Sequence, residues 1–285
     1  MAFASGKQTT DGASVARYIG VAPIYVLGVN PTKSELEGYY NISLEKEPEY
    51  TGSKDNVPFV RIDFVVKTDA TRSNNIDLTT KVTFFLRREK RVNRDNTKVQ
   101  VIDKYGRTAW VTNEQLKAKE IPMYTNGPAN LDADYRPVYN GEENLTNFIK
   151  TYLNIPSVQK YVNGAWVMVD NPQDCEARLE HIEDYFKGNF QELKEIIAMQ
   201  PNNKVKALFG VRAADNGSLY QDVFGDMFLR NNSTDYTRLE KEVTERKNNG
   251  AYPNSLFTIC DLREYTVEAT NLDSSTVEVE DDPWA

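Results

Sequence analysis

His181 is the only histidine in a chain of 285 residues, and it lies in NPQDCEARLEHIEDYF (171–186), which reads as a helix. The nearest thiol, Cys175, precedes it by six positions, so a 3.6-residue period puts the two on different faces. That spacing does not make a metal site. Cys260 is isolated, and neither thiol belongs to a CxxC pair. No phosphate loop of the GxxxxGK[ST] type, no GxSxG elbow and no dinucleotide glycine fingerprint occurs. The acids are plentiful, but no pair stands out as a catalytic dyad. The expectation is a non-enzyme, with no catalytic residue, no metal and no cofactor.

The residues that could do chemistry by binding are elsewhere. Segment 81–107 holds nine bases, Lys81, Arg87, Arg88, Lys90, Arg91, Arg94, Lys98, Lys104 and Arg107, against the acids Glu89, Asp95 and Asp103. Aromatics are interleaved with them. Phe85 shares a strand face with Lys81 and Arg87, while Tyr105 and Trp110 lie on or beside the next hairpin. Cations that track phosphates, with rings on which bases stack, are the physics of single-strand binding. Phe59 and Arg61 form a second candidate pair on the opposite side of an apolar strand face. The plainer alternatives are a solvated charged loop, a core Trp110 and a strand buried on both sides.

These side chains need elements to hold them. RYIGVAPIYVLGVN (17–30) reads as a strand, and Thr32 three residues before Glu35 has capping-box spacing for a short helix. Residues 41–56 read as a loop. VPFVRIDFVVKT (57–68) and KVTFFLRR (81–88) alternate as strands. TKVQVIDKYGRTAWVT (97–112) reads as a hairpin turning on DKYG, and 121–141 as a long loop. Helices are expected over 142–154, 171–186, 190–199 and 233–249. VQKYVNGAWVMV (158–169) is a hairpin on an Asn-Gly turn. Further strands are expected over 204–212, 219–230 and 255–267. The sum is a β-rich α+β chain. It has a flexible arm at 1–14 and one domain at 15–267, with helical insertions at about 141–200 and 233–249. An acidic tail occupies 268–285.

The net charge is −8, yet 268–285 alone holds six acids and no base, which leaves 36 acids against 34 bases in the remainder. The acidity is therefore local. The chain closes on VEVEDDPWA (277–285), where Trp284 cannot serve the core from a segment too polar to fold alone. No apolar run approaches the ~20 residues of a membrane span, and the first residues lack a secretory apolar region.

Asp281-Asp282-Pro283-Trp284 resembles the acidic, proline- and aromatic-bearing tail end of bacterial single-stranded DNA-binding proteins. It departs in having Trp for Phe and a following Ala285. More broadly, ARYIGVAPIYVLGVNP, KVQVIDKYGRTAWVT, YVNGAWVM and PNNKVKALFGVR resemble the single-stranded DNA-binding proteins of crAss-like tailed phages. That resemblance implies an OB-fold-like antiparallel barrel or sheet core elaborated with helices. It also implies single-stranded DNA as ligand, a role in phage replication and the cytoplasm of a bacterial host. The tail implies docking on a polymerase, primase or helicase. Self-association is left open. The competing expectation is a virion structural or cargo protein without a DNA-binding role.

Overall fold

Alternating apolar residues dominate this chain, and such segments bury one face only by pairing into sheets. A computed structural model describes residues 16–120, 131–214, 218–251 and 254–265. The N-terminal arm and the acidic tail, with Asp281, Asp282, Pro283 and Trp284, lie outside the described residues. The chain begins β1 (Arg17–Val29), α1 (Lys33–Tyr40), β2 (Thr51–Lys54), β3 (Val57–Thr68) and β4 (Thr79–Lys90). It continues β5 (Lys98–Ile102), β6 (Thr108–Thr112), α2 (Asn113–Ala118), β7 (Arg136–Pro137), β8 (Tyr139–Asn140) and α3 (Glu142–Tyr152). Then come β9 (Gln159–Val162), β10 (Ala165–Met168), α4 (Ile182–Tyr185), α5 (Gln191–Met199), β11 (Val205–Ala213) and β12 (Leu219–Val223). The last are β13 (Leu229–Arg230), α6 (Thr237–Asn248), β14 (Ser255–Phe257) and β15 (Arg263–Tyr265). The chain is a β-rich α+β protein whose named strands pair antiparallel, and no barrel closes among the described residues.

Contacts divide the chain into two compact units, and two of the four boundaries between them fall inside β3 and β4. The first unit comprises residues 1–48, 63–82 and 201–285. Here β11 pairs with β1, β12, β13 and β14, and β1 pairs in turn with β3 and β15. Leu239 and Val243, one turn apart on α6, pack with Val21, Leu208, Phe224 and Phe257. Gly20 is required where β1 passes the Cys260–Asp261 backbone. Its φ is +122°, and a Cβ would lie 2.6 Å from the Cys260 carbonyl oxygen. The expected capping box forms at α1, where the Glu35 amide donates to the Thr32 hydroxyl and Glu35 Oε2 accepts from the Thr32 amide.

The second unit comprises residues 49–62 and 83–200. It contains β5 between β6 and β7, the pair β4–β8, the hairpin β2–β3 and the hairpin β9–β10. Val101, Val111, Leu131 and Tyr135 form one cluster. Buried Leu145, Phe148, Ile149 and Tyr152 of α3 face inward, with Phe148 5.4 Å from Phe84 between ring centroids.

Several expected elements are corrected. The 41–56 loop contains β2. Segment 171–186 is not one helix: it forms a single 3-10 turn at Pro172–Cys175 and then the short α4. Between them the amides of Ala177 and Arg178 both donate to the Lys104 carbonyl, a tertiary pairing that holds the chain extended. Segment 219–230 breaks into β12 and β13, and 255–267 into β14 and β15.

Candidate nucleic-acid interface

The expected basic segment enters the structure on β4, turns through residues 91–97 and returns on β5. Local hydrogen bonds fix the turn. The Lys98 amide donates to Asn93 Oδ1 at 2.8 Å, and the Thr97 hydroxyl donates to Asp95 Oδ1 at 2.9 Å. The Thr97 hydroxyl holds the Asp95 carboxyl below its usual range. Asn96 takes the left-handed conformation that asparagine tolerates. Such a turn spends its amides on itself and points its long side chains outward.

Most of the nine bases are matched by acids. Lys81, in the first unit, pairs with Asp63 at 3.2 Å. In the second unit Arg87 pairs with Glu89 at 3.3 Å and Arg88 with Glu183 at 3.0 Å. Arg91 pairs closely with Glu143, and Lys104 lies 3.5 Å from Asp132. The Asp134 amide, then Lys104, hold Asp132 below the ordinary carboxylate range. Arg107 pairs with the fully buried Asp103 at 2.6 Å. Asp103 also accepts from the amides of Tyr105, Arg107 and Asp132, so DKYGR is a self-satisfied turn with its arginine as a strut. Lys90, Arg94 and Lys98 are exposed and join no ion pair among the described residues.

The aromatics separate in the same way. Tyr105 is a correction: it is buried with Val158 and Cys175, with Lys104 and Arg107 each 5.1 Å from its ring centroid, so it offers no face for stacking. Phe85 is half-buried on β4. Phe59 lies across Gly52, where a Cβ would come within 2.6 Å of the ring. The Arg61 guanidinium sits over Tyr50 at 5.4 Å, and its amide donates to the Tyr50 carbonyl. These two belong to the packing of the β2–β3 hairpin. Trp110 is different, at 40 % exposed on the outer strand β6.

Strand register sets its neighbours. Trp110 is opposite Gln100, and Lys98 is opposite Thr112. Paired residues share a face, with Cβ atoms about 4.5–5.5 Å apart directly and about 7–8 Å on the diagonal. Trp110 therefore stands beside Gln100 and diagonal to Lys98. Gln100 Nε2 donates to Glu143 Oε2 at 3.3 Å, the same oxygen that Arg91 engages. An exposed ring thus stands diagonal to one cation, Lys98, and next to an anchored amide. Among the described residues no group of three or more His, Cys, Asp or Glu side chains is placed to hold a metal ion. No helix of the described residues is long and apolar enough to cross a membrane.

Of the residues expected at the interface, Trp110, Arg94 and Lys98 are exposed, whereas Lys81, Arg87, Arg88, Arg91, Lys104 and Arg107 spend their charge on acids of the chain. The exposed Tyr161–Trp166 pair of β9–β10 is not among the expected residues, although its Asn-Gly turn is plain in the sequence. No family model, no curated protein and no solved structure matches this chain.

Proposed function

We propose that this chain is a non-enzymatic single-stranded DNA-binding protein of phage replication. The observation that carries the reading is Trp110, exposed on an outer strand and diagonal to Lys98, which joins no ion pair among the described residues. Ring and cations suit a stacked base and its flanking phosphates, a mode indifferent to sequence. The OB-type core and the likeness to crAss-like phage proteins belong to this proposal. The antiparallel run of β1, β3 and β4 supports the first, and the quoted sequence stretches support the second. The tail residues Asp281, Asp282, Pro283 and Trp284 are proposed as the docking peptide for a polymerase, primase or helicase. A virion structural role is the competing reading, and the ion pairing of six of the nine bases favours it.

Binding of a labelled oligo-dT across a salt series separates the two. Phosphate contacts release counterions with a log–log slope of about −0.7 per phosphate on single strands. Three unpaired bases predict a slope of roughly −2. Arg94→Ala with Lys98→Ala should weaken binding to every sequence alike. Retention of oligo-dT that is absent at all salt concentrations, or unchanged in the double variant, refutes the DNA-binding reading.

A further inference from the structure

Asn-Gly pairs occur at 126–127, 140–141, 163–164, 216–217 and 249–250. In such a pair the glycine backbone nitrogen can attack the asparagine side-chain carbonyl carbon, because glycine has no Cβ in the way. The pairs at 126–127 and 216–217 lie outside the described residues. The other three are held differently. Gly141 sits where β8 enters α3, and a Cβ there would lie 1.8 Å from the Phe85 carbonyl oxygen. The Asn140 side-chain amide beside it donates to Glu89 Oε2 at 3.4 Å. At the end of α6 the Gly250 amide donates to the Lys247 carbonyl at 3.0 Å, which occupies its N–H. At the tip of β9–β10 Asn163 and Gly164 are both exposed, with positive φ. Beyond its chain neighbours, nothing described lies within 4 Å of the place of a Gly164 Cβ. Neither the Gly164 amide nor the Asn163 side chain makes a hydrogen bond among the described residues. The hairpin pairs with no other strand among the described residues. A two-stranded hairpin alone is marginal in water, so its turn opens at far lower cost than the packed junction at Gly141.

We infer that Asn163 is a site of spontaneous deamidation, and that among the described Asn-Gly pairs it reacts first. The Gly164 backbone nitrogen, after losing its proton to hydroxide, bonds to Asn163 Cγ. The side-chain nitrogen leaves as ammonia, taking up a proton from water, and a five-membered succinimide closes. Water then adds to a ring carbonyl and breaks its bond to the Gly164 nitrogen. Addition at Cγ gives aspartate. Addition at the backbone carbonyl gives isoaspartate, in which the chain runs through the former side chain. Water is the only co-reactant, and nothing is oxidised or reduced. The two products differ in what they do to the arm. Aspartate keeps the turn, because Asp-Gly suits the same two-residue geometry. Isoaspartate puts an extra atom into the backbone of a turn whose length sets the register. It therefore misaligns Tyr161 and Trp166, which are directly paired with ring centroids 5.4 Å apart at 67°. Either product adds a carboxylate to an arm whose residues 157–169 carry Lys160 and no acid. This inference goes beyond the DNA-binding reading and does not rest on it.

Peptide mapping by mass spectrometry of the full chain, aged at neutral and mildly alkaline pH, tests it. The peptide holding Asn163 should show the ammonia-loss succinimide and then the amide-to-acid mass gain, at a rate proportional to hydroxide. Asn249 should lag by roughly two- to tenfold, the cost of first breaking the hydrogen bond on the Gly250 amide. Asn140 should stay intact for as long as the chain is folded. In concentrated urea the three should react at similar rates, because only the dipeptide then matters. Asn163→Gln should abolish the signal at this position and leave the melting temperature unchanged, since the arm lies outside the cores. An Asn163 that stays intact in the folded chain while Asn140 or Asn249 reacts overturns the inference. So do equal rates at all three positions in the folded chain, because the structure would then protect none of them.

Discussion

Two arginines thirteen positions apart, Arg94 and Arg107, look equivalent in composition but have opposite roles. Arg107 is largely covered and completes the hydrogen bonds of a carboxylate that has no contact with water. Asp103→Ala should leave that guanidinium and three amides without their acceptor. Removing one partner of a buried pair costs about 3–5 kcal/mol, so the denaturant midpoint should fall sharply. Arg94→Ala should move the same midpoint by no more than about 0.5 kcal/mol, the range of open surface positions. Oligo-dT affinity should respond in the reverse order for the folded proteins. Gly141 gives a second test. Its φ is +86°, and an added Cβ would lie 1.8 Å from the Phe85 carbonyl oxygen. Gly141→Ala must therefore shift the backbone where β8 enters α3. The expected loss exceeds the ~1 kcal/mol that a positive φ alone costs, and thermal melting would read it.

Elements whose signals are local were legible. The strands β3 and β4, the α1 capping box and the Asn-Gly turn each rest on signals that act over a few residues, and each formed where the sequence put it, although β3 is buried on both faces from Ile62 to Val66 and only β4 alternates. What stayed hidden depends on partners far along the chain. Glu143 and Glu183, which match Arg91 and Arg88, come from α3 and α4, and no spacing rule reaches across that separation. The broken helix at 171–186 has the same cause, since its amides are claimed by Lys104. The α4 turn also makes a pH prediction. The Tyr139 hydroxyl of β8 donates to Glu183, and burial first, then that bond and charge, push its pKa up to about 12. An ordinary tyrosine titrates near 10. Because the folded value is the higher one, its contribution is complete below about pH 10 and is lost as pH rises towards 12. Tyr139→Phe should remove that part of the alkaline decline, measured by urea unfolding at successive pH values. An identical decline in the variant would show that the bond contributes nothing to it.

Charge at the scale of the whole molecule is uneven in a way no single residue reveals. Six of its 42 acids fall in residues 268–285, and the remainder is close to balance at 36 acids against 34 bases. The ion pairs within the second unit reduce the cationic segment further, to Lys90, Arg94 and Lys98, of which Lys98 lies diagonal to Trp110. A weakly cationic site is sensitive to any competing polyanion. The tail is such a polyanion, covalently attached and therefore present at high effective concentration. Deleting residues 268–285 should tighten oligo-dT binding, most at low salt, where the Debye length is about 30 Å at 0.01 M against about 8 Å at 0.15 M. Trp284→Ala leaves the charge unchanged, so it should leave oligo-dT affinity unchanged while removing capture of replication proteins through the tail. The deletion and the substitution thus separate the two roles proposed for the tail, its acids on the chain's own site and its ring on a partner. Equal affinity of the truncated and full chains at low salt would show that the acids do not reach the Trp110 corner.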